Sequence, residues 1–165
     1  MPTEKTEQLL NKYAKRTKTL QFALSLPESG LRYSFSSTTP HQRFHSASVG
    51  KLMTATLILM AVEHGKLALE TKVNRILGRE KLGGLFVFKN TDYQDEVTIR
   101  HLLGHTSGVN DYYESKTFDG ALFANDMIKS PGTFWTPETL LNYTRNRQKP
   151  VARPGDKFFY SDTGY

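Results

Sequence analysis

Phe44-His45-Ser46-Ala47-Ser48-Val49-Gly50-Lys51-Leu52-Met53-Thr54-Ala55 opens the most apolar stretch of the chain. From about Ser46 to His64 the residues suit a helix, with Gly65 as its C-terminal stop. The segment is apolar nearly all round, which predicts a helix buried inside the protein. Within it, Ser48-Val49-Gly50-Lys51 fits the pattern S-x-x-K. A serine hydroxyl is a poor nucleophile until a base or a field favours its anion. Ser48 stands near the helix start, where the dipole favours developing negative charge. Lys51 lies one turn further along the same face. Its apolar neighbours Leu52, Met53 and Ala55 predict desolvation, and hence an ammonium that loses its proton more readily.

The run from Leu52 to Val62, bounded by Lys51 and Glu63, falls well short of the ~20 residues that span a bilayer. Met1-Pro2-Thr3-Glu4-Lys5 offers no apolar segment for a signal peptide. The 165 residues suit one domain. With 38% hydrophobic and 23% charged residues the chain is polar but globular, and ten Phe with eight Tyr supply core-sized side chains. The absence of cysteine excludes a disulfide scaffold, a Cys-ligated metal and a cysteine nucleophile.

Upstream, Glu4 to Thr17 is predicted helical, with Leu9, Leu10 and Tyr13 on one side. Leu20–Leu26 and Leu31–Ser37 are predicted strands, joined by the turn Pro27-Glu28-Ser29-Gly30 into a hairpin. A polar loop follows from Thr38 to His45. Downstream, Thr71 to Glu96 is irregular, and Thr98 caps a short helix from Ile99 to His105 that ends at Ser107-Gly108. A loop rich in Asn, Asp, Tyr and Gly leads to Thr136-Pro137-Glu138, a strong start for a helix reaching Arg147. Lys157–Tyr160 is an extended segment.

The net charge of +6 invites a nucleic-acid reading, with Lys12, Lys15, Arg16 and Lys18 near one end and Arg145, Arg147, Lys149, Arg153 and Lys157 near the other. Glu4 and Glu7 dilute the first cluster, and no nucleic-acid motif accompanies either, so solvated helix faces are expected and no nucleic-acid partner. His101 and His105 have the H-x-x-x-H spacing of a zinc helix, but Leu102 stands where the glutamate of H-E-x-x-H belongs. No metal and no cofactor are expected. Gly104-His105-Thr106-Ser107-Gly108 is not G-x-S-x-G, and Ser107 is assigned to a helix end. His41, His45 and His64 lack partner spacing.

Three segments, in order, resemble one family. Phe44–Ala55 is similar to the nucleophile segment of the serine β-lactamase and penicillin-binding protein superfamily. Val97-Thr98-Ile99-Arg100-His101-Leu102-Leu103-Gly104-His105-Thr106-Ser107-Gly108-Val109 and Pro154-Gly155-Asp156-Lys157-Phe158-Phe159-Tyr160-Ser161-Asp162-Thr163-Gly164-Tyr165 resemble signatures of its class C-like branch. That branch includes β-lactamases, D,D-peptidases and esterases. The resemblance implies an α/β (α+β) fold with an antiparallel sheet, helices and a mostly helical region. Residues 1–70 would hold the N-terminal helix, hairpin and nucleophile helix, 71–148 the helical region, and 149–165 the return segment.

It implies that Ser48 is the nucleophile, Lys51 its proton acceptor or electrostatic partner, and Tyr160 the general base or proton relay. A phenol acts as a base near neutral pH only beside a cation such as Lys51. Asp162 lies in the substrate-binding position where the family more often has Asn. An amide both donates and accepts, whereas a carboxylate only accepts, which suits an ester at least as well as a β-lactam or peptide. Ser161-Asp162-Thr163 also admits an S-D-N reading of the class A type, but Arg100–Gly108 favours the class C register, which keeps Tyr160. The superfamily's Lys/His-Thr/Ser-Gly strand has no counterpart here. A two-stranded hairpin also wants sheet partners. The expectation is therefore an N-terminal portion of a longer serine hydrolase that needs its C-terminal portion, with little turnover alone. Substrates would be β-lactams, D-Ala-D-Ala peptides or small esters; the alternative is a non-catalytic penicillin-binding or peptidoglycan-sensing relative. A periplasmic or extracellular location follows only from the resemblance.

Overall fold

The computed structural model describes residues 4–17, 19–39 and 43–165. Lys18, His41 and the middle of the polar loop after the hairpin lie outside the described residues. Two compact units follow one another, Met1–Ala47 and Ser48–Tyr165.

In the first unit, helix α1 (Glu4–Ala14) places Glu4 and Glu7 in its first turn, where they suit the helix dipole. Strands β1 (Gln21–Leu26) and β2 (Leu31–Ser36) form an antiparallel hairpin in the register Gln21↔Ser36 to Leu26↔Leu31. The turn between them is a short 3₁₀ segment, Pro27–Ser29. Among the described residues the hairpin is the whole of its sheet.

A 3₁₀ turn, Ala47–Val49, begins at the last residue of the first unit and leads into α2 (Gly50–Glu63) of the second. This helix departs from the expectation of burial: none of its residues is buried, and Leu52, Met53 and Leu57 are each more than 60% exposed. Its composition is that of a core helix, but within its own unit its apolar side chains stay largely exposed. Short helices α3 (Asn74–Leu77) and α4 (Arg79–Leu82) and the small hairpin of β3 (Val87–Phe88) with β4 (Thr91–Asp92) fill the irregular stretch. The core forms here, from Val73, Leu82, Leu85, Phe86, Val97 and Val109.

Helix α5 (Ile99–Leu103) starts at a capping box: Thr98 Oγ1 accepts from the His101 N–H at 3.3 Å, and His101 Nδ1 accepts from the Thr98 N–H at 3.2 Å. His101 is thus engaged in a helix cap, its imidazole held below the ordinary histidine value by burial and then by Lys72. Among the described residues no group of three or more His, Asp or Glu is arranged to hold a metal. Helix α6 (Phe123–Lys129) was not expected; Phe123 packs against Trp135 at 4.7 Å and Tyr143 at 5.2 Å. Helix α7 (Pro137–Arg147) starts as the sequence predicts, with Thr136 Oγ1 accepting from the Thr139 N–H at 3.2 Å.

The late basic residues are largely engaged within the chain. Arg145 donates to the carbonyls of Gly83 and Lys81 at 2.6 and 2.7 Å. Arg147 pairs with Asp126 at 2.5 Å, and Arg153 with Asp156 at 3.0 Å. No described helix is long and apolar enough to cross a membrane.

Candidate active site

Ala47 has φ 46°, a left-handed conformation that costs a non-glycine residue about 1–2 kcal/mol. Backbone strain of this kind clusters at functional positions, and here it delivers Ser48 at the mouth of α2. Lys51, in the first turn, directs Nζ back to Ser48 Oγ at 3.4 Å.

Tyr160 and Asp162 arrive from the far end of the sequence. Residues 151–165 form no strand, although Lys157–Tyr160 was expected to be extended. Their hydrogen bonds go to the loop after α5. Val151 N–H donates to Gly108 O at 2.9 Å, Gly155 N–H to Thr106 O at 2.8 Å, and Phe159 N–H to His105 O at 2.7 Å. Ser161, 2% exposed, donates its hydroxyl to Asn110 O at 2.9 Å and accepts from the Gly164 N–H at 3.1 Å. Asp111, 1% exposed, accepts from the backbone N–H groups of Asp162, Glu114 and Tyr113 at 3.0, 2.9 and 3.3 Å. Charge-assisted bonds to backbone donors are among the stronger hydrogen bonds, so Asp111 pins the tail where Asp162 leaves it.

All four residues singled out in the sequence meet. Ser48 Oγ lies 2.6 Å from Tyr160 OH, Tyr160 OH donates to Asp162 Oδ1 at 3.4 Å, and Lys51 Nζ forms an ion pair with Asp162. Lys51 Nζ also sits 5.0 Å from the centre of the Tyr160 ring. The charge state of Lys51 differs from the sequence expectation. Burial does press its ammonium downward, but the Asp162 carboxylate and the Tyr160 hydroxyl outweigh burial, and the net effect is a pKa above the ordinary lysine value.

Two residues that sequence reasoning passed over belong to this cluster. The H-x-x-x-H spacing of His105 points toward a metal, yet its ring stacks on Tyr160. Asp111 lies in a stretch read only as a polar loop. The available signal was the H-T-S-G run itself, whose four residues all hydrogen-bond to, or pack on, residues 151–165.

A beta-lactamase family model matches residues 28–165. Penicillin-binding protein 4* of Bacillus subtilis (strain 168) is 36% identical over 123 residues, covering 74% of this chain and 23% of that protein. Penicillin-binding protein 4 of Amycolatopsis lactamdurans is 34% identical over 104 residues, 61% of this chain and 26% of that one. The chain therefore spans about a quarter of the length of these relatives. Among solved structures, a D-stereospecific amidohydrolase from Streptomyces sp. is similar in fold, with a TM-score of 0.70 over 99% of this chain and 47% of that one at 23% identity.

Proposed function

The chain belongs to the beta-lactamase family, and on that premise we propose that it is part of a serine hydrolase in which Ser48 forms an acyl-enzyme with β-lactams, D-Ala-D-Ala peptides or small esters. The observation that carries this reading is the 2.6 Å contact of Ser48 Oγ with Tyr160 OH, with Lys51 Nζ 3.4 Å from the same oxygen.

Donor and acceptor capacities give the cluster a direction. An ammonium only donates and a carboxylate only accepts. Lys51 gives to Ser48 and Asp162, Ser48 gives its proton to the Tyr160 oxygen, and Tyr160 gives its own to Asp162. In the proposed reaction Ser48 Oγ attacks the carbonyl carbon as its proton passes to Tyr160 and the phenol proton moves to Asp162. The carbonyl electron pair shifts to oxygen. Collapse of the tetrahedral species breaks the C–N or C–O bond, and the proton returns through Tyr160 to the leaving nitrogen or oxygen. Water then attacks the Ser48 ester, losing its proton by the same route, and Ser48 is released with its hydrogen restored. The Lys51 ammonium stays charged throughout and stabilises the negative charge that passes through the site.

A further segment of the same protein is assigned the completion of the site, a reading supported by the apolar side chains that α2 leaves exposed within its own unit and by a hairpin with no third strand among the described residues. The chain alone is then expected to turn over little. Intact-mass spectrometry of the protein with that completing segment present, after incubation with a penicillin or a fluorophosphonate, tests the nucleophile. An adduct lost in Ser48→Ala, and decaying with time, supports the hydrolase. A penicillin adduct that persists supports instead a penicillin-binding sensor; both relatives are penicillin-binding proteins by name. No Ser48-dependent adduct with either reagent overturns both.

A further inference from the structure

His105 lies just past α5 in a left-handed conformation, φ 52°, which costs a non-glycine residue about 1–2 kcal/mol. Its carbonyl accepts from the Phe159 N–H at 2.7 Å and its Nδ1 accepts from the Ser161 N–H at 3.2 Å. Its ring stacks on Tyr160 at 4.6 Å and on Tyr165 at 5.1 Å, and meets Phe158 edge-on at 5.8 Å. One residue thus holds the backbone on both sides of Tyr160 and the Tyr160 ring itself.

We propose that His105, as a neutral imidazole carrying its proton on Nε2, is the positioning residue that sets Tyr160 against Ser48, and that protonating it withdraws Tyr160 and closes the site to acylation. This rests on the hydrolase reading above. The chemistry follows from Nδ1, which accepts from the Ser161 N–H only while it bears no proton. A proton there sets two donors face to face and breaks the bond that fixes Ser161 beside Tyr160. It also places a second cation near Lys51, whose Nζ lies 5.0 Å from the Tyr160 ring and 5.9 Å from the Tyr165 ring.

The charged and titratable groups facing the imidazole are Lys51 from α2, Asp111 from the loop, and Tyr160, Asp162 and Tyr165 from the tail. Both carboxylates favour an imidazolium. Asp162, however, is paired with Lys51, and Asp111 is occupied by three backbone donors. Burial first and Lys51 second hold the imidazole below the usual histidine range.

The test combines two measurements on the protein with the completing segment present. Nitrogen-15 NMR reads the His105 tautomer and its titration, together with the Ser161 amide. Fluorophosphonate labelling of Ser48 from pH 4.5 to 8 reads acylation, in the wild type, His105→Asn and His105→Phe. Asn tolerates the left-handed backbone and offers a carbonyl acceptor that does not titrate, whereas Phe keeps the stack and loses the acceptor. The expected wild-type result is an Nε2–H tautomer and a labelling rate that falls about tenfold per pH unit below the midpoint at which the Ser161 amide moves. His105→Asn flattens that acid limb, and His105→Phe labels slowly at every pH. A merely structural histidine lowers the rates without moving the limb; an unchanged limb in His105→Asn, an Nδ1–H tautomer, or wild-type midpoints that disagree overturn the proposal. If the wild type is not labelled at any pH, the hydrolase reading fails and the role of His105 fails with it. The NMR titration then still separates that result from a failure of the clamp alone.

Discussion

Gly108 is the position at which a single added methyl group separates the catalytic tail from its seat. The residue has φ +80°, and its carbonyl accepts from the Val151 N–H at 2.9 Å. A Cβ built there stands 2.1 Å from Ala152 O and 2.9 Å from Ala152 C, both backbone atoms that no rotamer change can move. In Gly108→Ala the left-handed backbone contributes about 1–2 kcal/mol and the overpacking about 1–3 kcal/mol. Relief by separation weakens the Val151–Gly108 and Gly155–Thr106 hydrogen bonds, at about 1 kcal/mol each. The total is on the order of 4–7 kcal/mol, a large share of the ~5–15 kcal/mol that holds a domain together. Gly120→Ala is the matched control: φ is again +80°, but nothing lies within 4 Å of the added Cβ, which leaves the backbone strain of about 1–2 kcal/mol. Urea unfolding of both variants, followed by the fluorescence of Trp135, the single tryptophan, measures the difference. At ~1–3 kcal/mol per molar urea the two midpoints should differ by about 1 M or more. Midpoints within the error of the measurement would mean that residues 151–153 do not approach Gly108 closely, and the seating argument for Tyr160 would fall.

Asp162→Asn leaves an acceptor for Lys51 but removes the charge, in a pair whose side chains are 20% and 19% exposed. The Lys51 titration, followed by NMR of its side chain, should move down, and stability at pH 7 should fall by about 1–2 kcal/mol, below the cost of splitting a fully buried pair; an unmoved titration refutes the pairing. His101 and His105 are both held below the ordinary value, chiefly by burial. The unfolded chain then binds more protons than the native one below about pH 6.5, so stability rises with pH through that range and is lost as pH falls through the lowered native values. Urea midpoints should be lower at pH 5 than at pH 7, and equal midpoints refute the assignment.

What the sequence discloses follows the range of the interactions that fix each element. The start of α7 is set by Thr136 and Thr139, three residues apart, and that of α5 by Thr98 and His101. The first hairpin depends on two strands and one turn. These elements are legible within a few neighbouring residues. Helix α6 is not: its N-cap, Leu122, offers no capping side chain, and the helix is held by Phe123 packing on Trp135 and Tyr143, well beyond its own sequence. The exposure of α2 shows the complementary limit. An apolar composition states what a helix needs to bury, and only the neighbouring elements decide whether it does.

The same limit governs the chemistry. Local sequence places Lys51 among Leu52, Met53 and Ala55 and so points to an amine that sheds its proton. Asp162, 111 positions away, reverses that sign by standing against Nζ. The reversal changes what each group can do. With Lys51 fixed as a donor, Ser48 Oγ has one acceptor left to receive its proton, the Tyr160 oxygen at 2.6 Å, and Tyr160 has Asp162 Oδ1 beyond it. Asn at 162 can accept the hydrogen bond from Tyr160 but cannot keep the proton. Asp162, where the resemblance leads one to expect Asn, therefore adds a terminal acceptor to the proposed relay. Asp162→Asn should slow Ser48 acylation while the Ser48–Tyr160 contact persists, a loss of proton transfer with the geometry retained.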